Sequence, residues 1–121
     1  MQFMIAFAET ADDFAQRRDP ARVGAYWAAW TAYIGALHQS GIVVSGAGLE
    51  PPDTATTVRL RGGQREVQDG PFADSHEHLG GFFVIEVPSL DEALAWAERA
   101  PSSASGGTEV RPLLAMPPPP G

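Results

Sequence analysis

The side chains best suited to chemistry lie between Asp69 and Val87, in the stretch "DGPFADSHEHLGGFFVIEV". Asp69 stands at an Asp-Gly-Pro turn, where a carboxylate most simply accepts hydrogen bonds from backbone N–H groups two or three residues on. Facing a cleft, with an imidazole or phenol opposite, the same carboxylate is a candidate general base and the candidate catalytic residue of the chain. His76 and His78 alternate along an extended segment, so their rings project to one side and, with Asp69, Asp74 or Glu77 nearby, resemble half of a divalent-metal site. Third and fourth ligands are missing from the pattern, and two solvated histidines in a polar loop are the simpler reading, so no metal is expected.

A second group is aromatic. Tyr26, Trp27, Trp30 and Tyr33 recur at helical spacing and are core residues first. Rings that reach past the core can wall an apolar pocket between helix and sheet, with a tyrosine hydroxyl as one of its few polar groups. Tyr26, Trp30, Tyr33, Phe72, His76 and His78 are therefore the candidate cleft residues. A small-molecule ligand is the partner they suit.

Several chemistries are excluded at the residue level. There is no cysteine, which removes disulfides, thiolate nucleophiles and iron–sulfur clusters. Neither a G-x-G-x-x-G nor a G-x-x-x-x-G-K pattern occurs, and all eight basic residues are arginine, so dinucleotide and P-loop readings fail and no cofactor is expected. A net charge of -7 repels nucleic acid and anionic lipid, which makes neither an expected partner. The opening "MQFMIAFAETADD" lacks a basic leader region, and no apolar run approaches the roughly 18 to 20 residues of a membrane span. A cytoplasmic location is expected.

The elements that must position these residues are legible from period and punctuation. Residues 2–8 are apolar on both faces and read as a central strand. Residues 9–18 are polar. Asp19-Pro20 looks like an N-cap and first helical position, and an apolar stripe then runs to about Gln39, with Gly41 as a left-handed cap. A strand from Ile42 stops before Pro51-Pro52. Thr56–Arg61, Gly62-Gly63 and Gln64–Gln68 read as a hairpin. Gly80-Gly81 lead into a second central strand at 82–87. Ser89 and Glu92 suit a capping box ahead of a helix ended by Pro101. "SSASGG" reads as a flexible link, and 108–114 as an edge strand.

Without its hairpin this order is βαββαβ, a ferredoxin-like α+β split with helices on one face of an antiparallel sheet. The other face, carrying Met4 and Phe82 or Phe83, then needs cover, and a homodimer stacking sheet on sheet supplies it. Residues 1–115 form one domain, and the proline-rich tail, 116–121, is expected to be disordered.

Over nearly its whole length, through "MQFMIAFAE", "SGAGLEPPDTATTVRLRGG", "DGPFADSHEHLGGFFVIEVPSLDEALAWAERAP" and "GTEVRPL", the chain resembles the DGPF branch of the YCII-related (YciI-like) family. The resemblance implies a ferredoxin-like subunit that pairs into a dimeric α/β barrel. It also implies an enzyme-like cleft bearing an aspartate, which matches Asp69, and a histidine. The first long helix offers aromatic residues where that histidine is expected, and whether the protein turns over a substrate stays open. A regulatory or accessory role beside extracytoplasmic-function sigma factors is the alternative that the resemblance implies.

Overall fold

The computed structural model describes residues 1–115; the tail expected to be disordered, 116–121, lies outside the described residues. Strand β1 (Gln2–Thr10) is central, as its two apolar faces require. It pairs antiparallel with β5 (Glu77–Glu86) on one side and with β6 (Gly107–Pro112) on the other. Strand β2 (Val43–Gly48) adds to the far side of β5, giving the sheet order β2-β5-β1-β6.

Alternation along these strands decides what is buried. Phe3, Ile5 and Phe7 of β1 and Phe83 and Ile85 of β5 point toward one face. There they meet Tyr26, Trp30, Tyr33 and Leu37 of α2 (Val23–Gln39) and Ala93 and Ala97 of α3 (Leu90–Glu98). Burying side chains of this size contributes about 1.5–3 kcal/mol apiece, so this single layer supplies most of the driving force. The rings of Phe7, Trp30 and Tyr33 meet edge to face at 4.8 to 6.0 Å between centroids, the arrangement that ring quadrupoles favour. On the opposite face Met4, Ala8, Phe82 and Val84 stay half-buried.

The α+β class holds, but the closed barrel does not. Among the described residues the four-stranded sheet is open, with β2 and β6 as its edges, and the hairpin β3 (Thr56–Arg61) and β4 (Gln64–Asp69) forms a separate two-stranded sheet. Closure needs a strand to join those edges. The hairpin cannot serve, because it pairs only with itself and leaves Val58, Leu60 and Val67 largely exposed.

Three local expectations also change. The polar stretch after β1 contains a short helix, α1 (Ala11–Gln16), which begins with a reciprocal cap: Thr10 N donates to Asp13 Oδ2 at 2.9 Å and Asp13 N donates to Thr10 Oγ1 at 3.1 Å. Helix α2 starts at Val23, not at Pro20, because Asp19 spends its carboxylate on Ala21 N at 2.9 Å and Arg22 Nε at 2.7 Å. The "SSASGG" link holds another helical turn, α4 (Ser102–Ser105), tied down by Ser103 Oγ donating to Ala97 O at 2.7 Å. Gly41, at φ 77°, does occupy the left-handed position after α2. Among the described residues no helix is long and apolar enough to cross a membrane.

Candidate functional site

The second-to-last residue of β1 is Glu9, in phase with Phe3, Ile5 and Phe7 and therefore on the helix-facing side. It is 2% exposed. A carboxylate at that depth must be paired and hydrogen-bonded. The partners come from two elements that the chain folds back over it. Helix α1 turns the chain so that Arg17 returns to β1, and Arg17 Nη2 donates to Glu9 Oε2 at 2.8 Å. Tyr26, in the first turn of α2, donates its hydroxyl to Glu9 Oε1.

Arg17 ties the cluster to the rest of the fold. Its Nε donates to the Tyr26 hydroxyl at 2.9 Å, its Nη1 to Leu49 O at 2.5 Å, and its Nη2 also reaches Gly80 O at 3.4 Å. One guanidinium thus joins β1, α2, the end of β2 and β5. Four of its five N–H donors are used, which leaves one on Nη1. The cation also sits among rings, with Cζ 4.9 Å from the Phe14 centroid and 5.3 Å from that of Trp27. Burial, followed by the bond to the Glu9 carboxylate, pushes the Tyr26 phenol well above its ordinary pKa, so it stays a donor.

Glycine makes the carboxylate's seat. β1 and β5 slip register at Phe7/Ala8, opposite Gly80 and Gly81. A Cβ at Gly80 would land on the Glu9 carboxylate, and one at Gly81 would lie 2.9 Å from Ala47 O. Gly80 therefore leaves room for the Glu9 side chain, and Gly81 lets the backbones of β5 and β2 approach closely.

Glu9, Arg17 and Tyr26 open onto a cavity of about 250 Å³. Its apolar walls include Phe7, Trp27, Trp30 and Phe83, with Ala47, Gly48 and Gly81 in the lining. This is a polar end with flat walls. It suits a small planar molecule bearing oxygen, held by stacking on the rings and by hydrogen bonds at the Glu9–Arg17–Tyr26 end.

The residues singled out in the sequence divide around this cavity. Tyr26 and Trp30 line it. Tyr33 is buried in the core beside it, its hydroxyl bonded to Trp96 O at 2.9 Å and its pKa pushed up to about 12 by burial. Asp69 is exposed at the end of β4, opposite Thr56, and lies outside the cavity lining. Phe72 is 76% exposed, with the Arg59 guanidinium 5.0 Å from its ring centroid. His76 is exposed, and His78 is half-buried within β5, opposite Glu9 in register. Among the described residues no three His, Asp or Glu side chains gather as metal ligands.

Glu9 and Arg17 lie outside the stretches that residue type and spacing mark for chemistry. The signal for Glu9 is parity: counting by two from Phe3 places a carboxylate on the buried face of a central strand. Arg17 carries no such mark, because its role depends on a turn that brings it back eight residues.

The chain superposes on 5-chloro-2-hydroxyhydroquinone dehydrochlorinase (TftG) from Burkholderia phenoliruptrix AC1100, solved in complex with 2,5-dihydroxybenzoquinone. The TM-score is 0.54 at 21% identity, covering 96% of each chain, a likeness of fold. Over 69 residues it is 45% identical to an uncharacterized protein of Rhizobium meliloti (strain 1021), a match that takes in 55% of this chain and 56% of that relative. The chain thus spans little more than half the length of that relative. The YCII-related domain family matches residues 1–117, and the chain belongs to that family.

Proposed function

We propose that the protein binds a small planar ring bearing hydroxyl or carbonyl oxygens, in an enzyme-like site where Glu9 exchanges a proton with a ring oxygen. The observation that carries this reading is the buried Glu9–Arg17–Tyr26 cluster at the end of an aromatic-walled cavity. Each carboxylate oxygen of Glu9 has one lone pair committed and one in reserve, and the remaining Nη1 donor of Arg17 suits an oxygen that gains negative charge. The likeness to a fold that has been solved with a dihydroxybenzoquinone supports the ligand class.

Titration with 2,5-dihydroxybenzoquinone and a panel of simple hydroxylated benzenes, followed by absorbance or calorimetry, tests the reading. We expect saturable binding at one site per chain. Trp27→Ala should weaken it about tenfold, since one aromatic contact is worth roughly 0.5–1.5 kcal/mol beyond its area. Absence of saturation up to millimolar concentration across the panel would sink the proposal and favour a regulatory role without a ligand at this cavity. A catalytic Asp69 would act from the hairpin or at a site shared with another copy. Asp69→Asn, run beside Glu9→Gln, separates that idea from the present one, which expects the larger effect from Glu9→Gln.

A second copy of the chain is the partner proposed for the open sheet face. Met4, Ala8, Phe82 and Val84 form a half-buried apolar surface there, and an isologous dimer is the simplest cover for such a surface. Sedimentation at micromolar concentration should give twice the 12.8 kDa chain mass. A stable monomer overturns the dimer without touching the ligand proposal.

A further inference from the structure

Glu9 has a second cavity behind it. A space of about 240 Å³ lies among Asp13, Gln16, Ser102 and Ser105, with Ala25, Ala29 and Pro101 as its small apolar walls. Glu9, Tyr26 and Trp30 line this space and the aromatic cavity alike. These three side chains are therefore a partition with a hollow on either side.

We propose that the rear hollow is a water-filled vestibule giving Glu9 a proton route to solvent that is separate from the aromatic cavity. The inference rests on Glu9 as the proton-exchanging group of the proposed site. A carboxylate 2% exposed trades protons with bulk water only through a hollow that touches it. The aromatic cavity cannot serve while a ring fills it. The rear hollow has room for several waters at roughly 30 Å³ each, and its polar walls offer the two to four partners that a buried water needs.

Those walls are held in place from several elements. Asp13 accepts from Thr10 N at 2.9 Å and from Ser105 Oγ at 2.7 Å, and Ser102, 1% exposed, shares a hydrogen bond with Thr108 Oγ1 at 2.8 Å. Alanines at positions 25 and 29, one turn apart on α2, keep the space open where larger side chains would fill it. The step itself balances simply. A proton held at Glu9 passes to a vestibule water, which releases one to the next water outward, and the carboxylate returns to its charged form with Arg17 as its counter-ion.

The test needs no ligand. Exchange of the Tyr26 hydroxyl proton with water, read by NMR, reports access to the partition. Ala29→Leu plugs the rear hollow, with Ala25→Leu as a second plug should the first fail to fold. Gly48→Leu plugs the front, at a position where an added Cβ meets open space. With the front closed by Gly48→Leu, as a bound ring would close it, adding the rear plug should slow exchange at least tenfold, whereas the front plug by itself should leave it within about twofold. Loss of exchange on front plugging by itself, or no slowing when either rear plug is added to the front plug, overturns the route. Failure of ring binding, by contrast, overturns only the proposed function and leaves this result to stand by itself.

Discussion

Replacing Arg17 with methionine is expected to destabilise the protein by about 3–5 kcal/mol, the range for removing one partner of a buried ion pair. Methionine keeps most of the stem's volume, so the loss comes from electrostatics and hydrogen bonding more than from packing. It leaves Glu9, whose side chain is 3% exposed, without its counter-ion, and it removes the donor to the part-buried Tyr26 hydroxyl. Urea denaturation reads the effect as a lower midpoint at an unchanged slope. Adding Glu9→Gln to that variant should recover at least 1 kcal/mol, because the residue left buried is then neutral. If Arg17→Met alone costs less than about 1 kcal/mol, Glu9 is reaching water by rearrangement and the cluster does not tie these elements together.

Gly80→Ala should have the second-largest effect. The new methyl group would occupy the position of the Glu9 carboxylate, so either the carboxylate swings out of its bonds to Arg17 and Tyr26 or β5 moves away from β1. Overpacking of this kind costs about 1–3 kcal/mol, and displacement of Glu9 should also abolish ring binding. Gly48→Ala is the matched comparison, since nothing lies within 4 Å of a Cβ there. The two glycines are nearly indistinguishable in the sequence and should differ widely in the denaturation curve. Equal, small effects at both would show that the Glu9 carboxylate does not sit against Gly80.

The cluster also explains why a polar stretch follows so apolar a strand. Thr10 and Asp13 cap α1 reciprocally, and that short helix has little burial of its own beyond Asp13 and Phe14. Its work is directional: it reverses the chain within a few residues and returns Arg17 to the strand it has just left. An exposed ion pair, Arg18 to Asp53 at 3.0 Å, links the same turn to the segment after β2. It is fully solvated and positions the chain more than it stabilises it.

Alternation and punctuation, which are local properties, fixed much of this protein in advance. The apolar faces of residues 2–8 and 82–87 already implied two central strands, the stripe from Val23 to Leu37 implied the long helix, and Gly62-Gly63 implied the hairpin, because each pattern follows from backbone period or from the dihedral freedom of particular residues. The chain's membership of the YCII-related family was also legible, in motifs spread over nearly all of its length.

What the sequence left open depended on separation in space. Asp69 and the two histidines drew notice because polar side chains are dense there, yet the hairpin carries Asp69 out to solvent and the described histidines gather no metal ligands around them. The barrel implied by the resemblance likewise gave way, among the described residues, to an open sheet. Glu9, Arg17, Tyr26 and the carbonyls of Leu49 and Gly80 come from five stretches of chain, and no periodicity relates them. Only tertiary folding brings them within hydrogen-bond reach. Burial then makes that meeting obligatory, because a carboxylate beneath a helix layer must find its partners inside the protein.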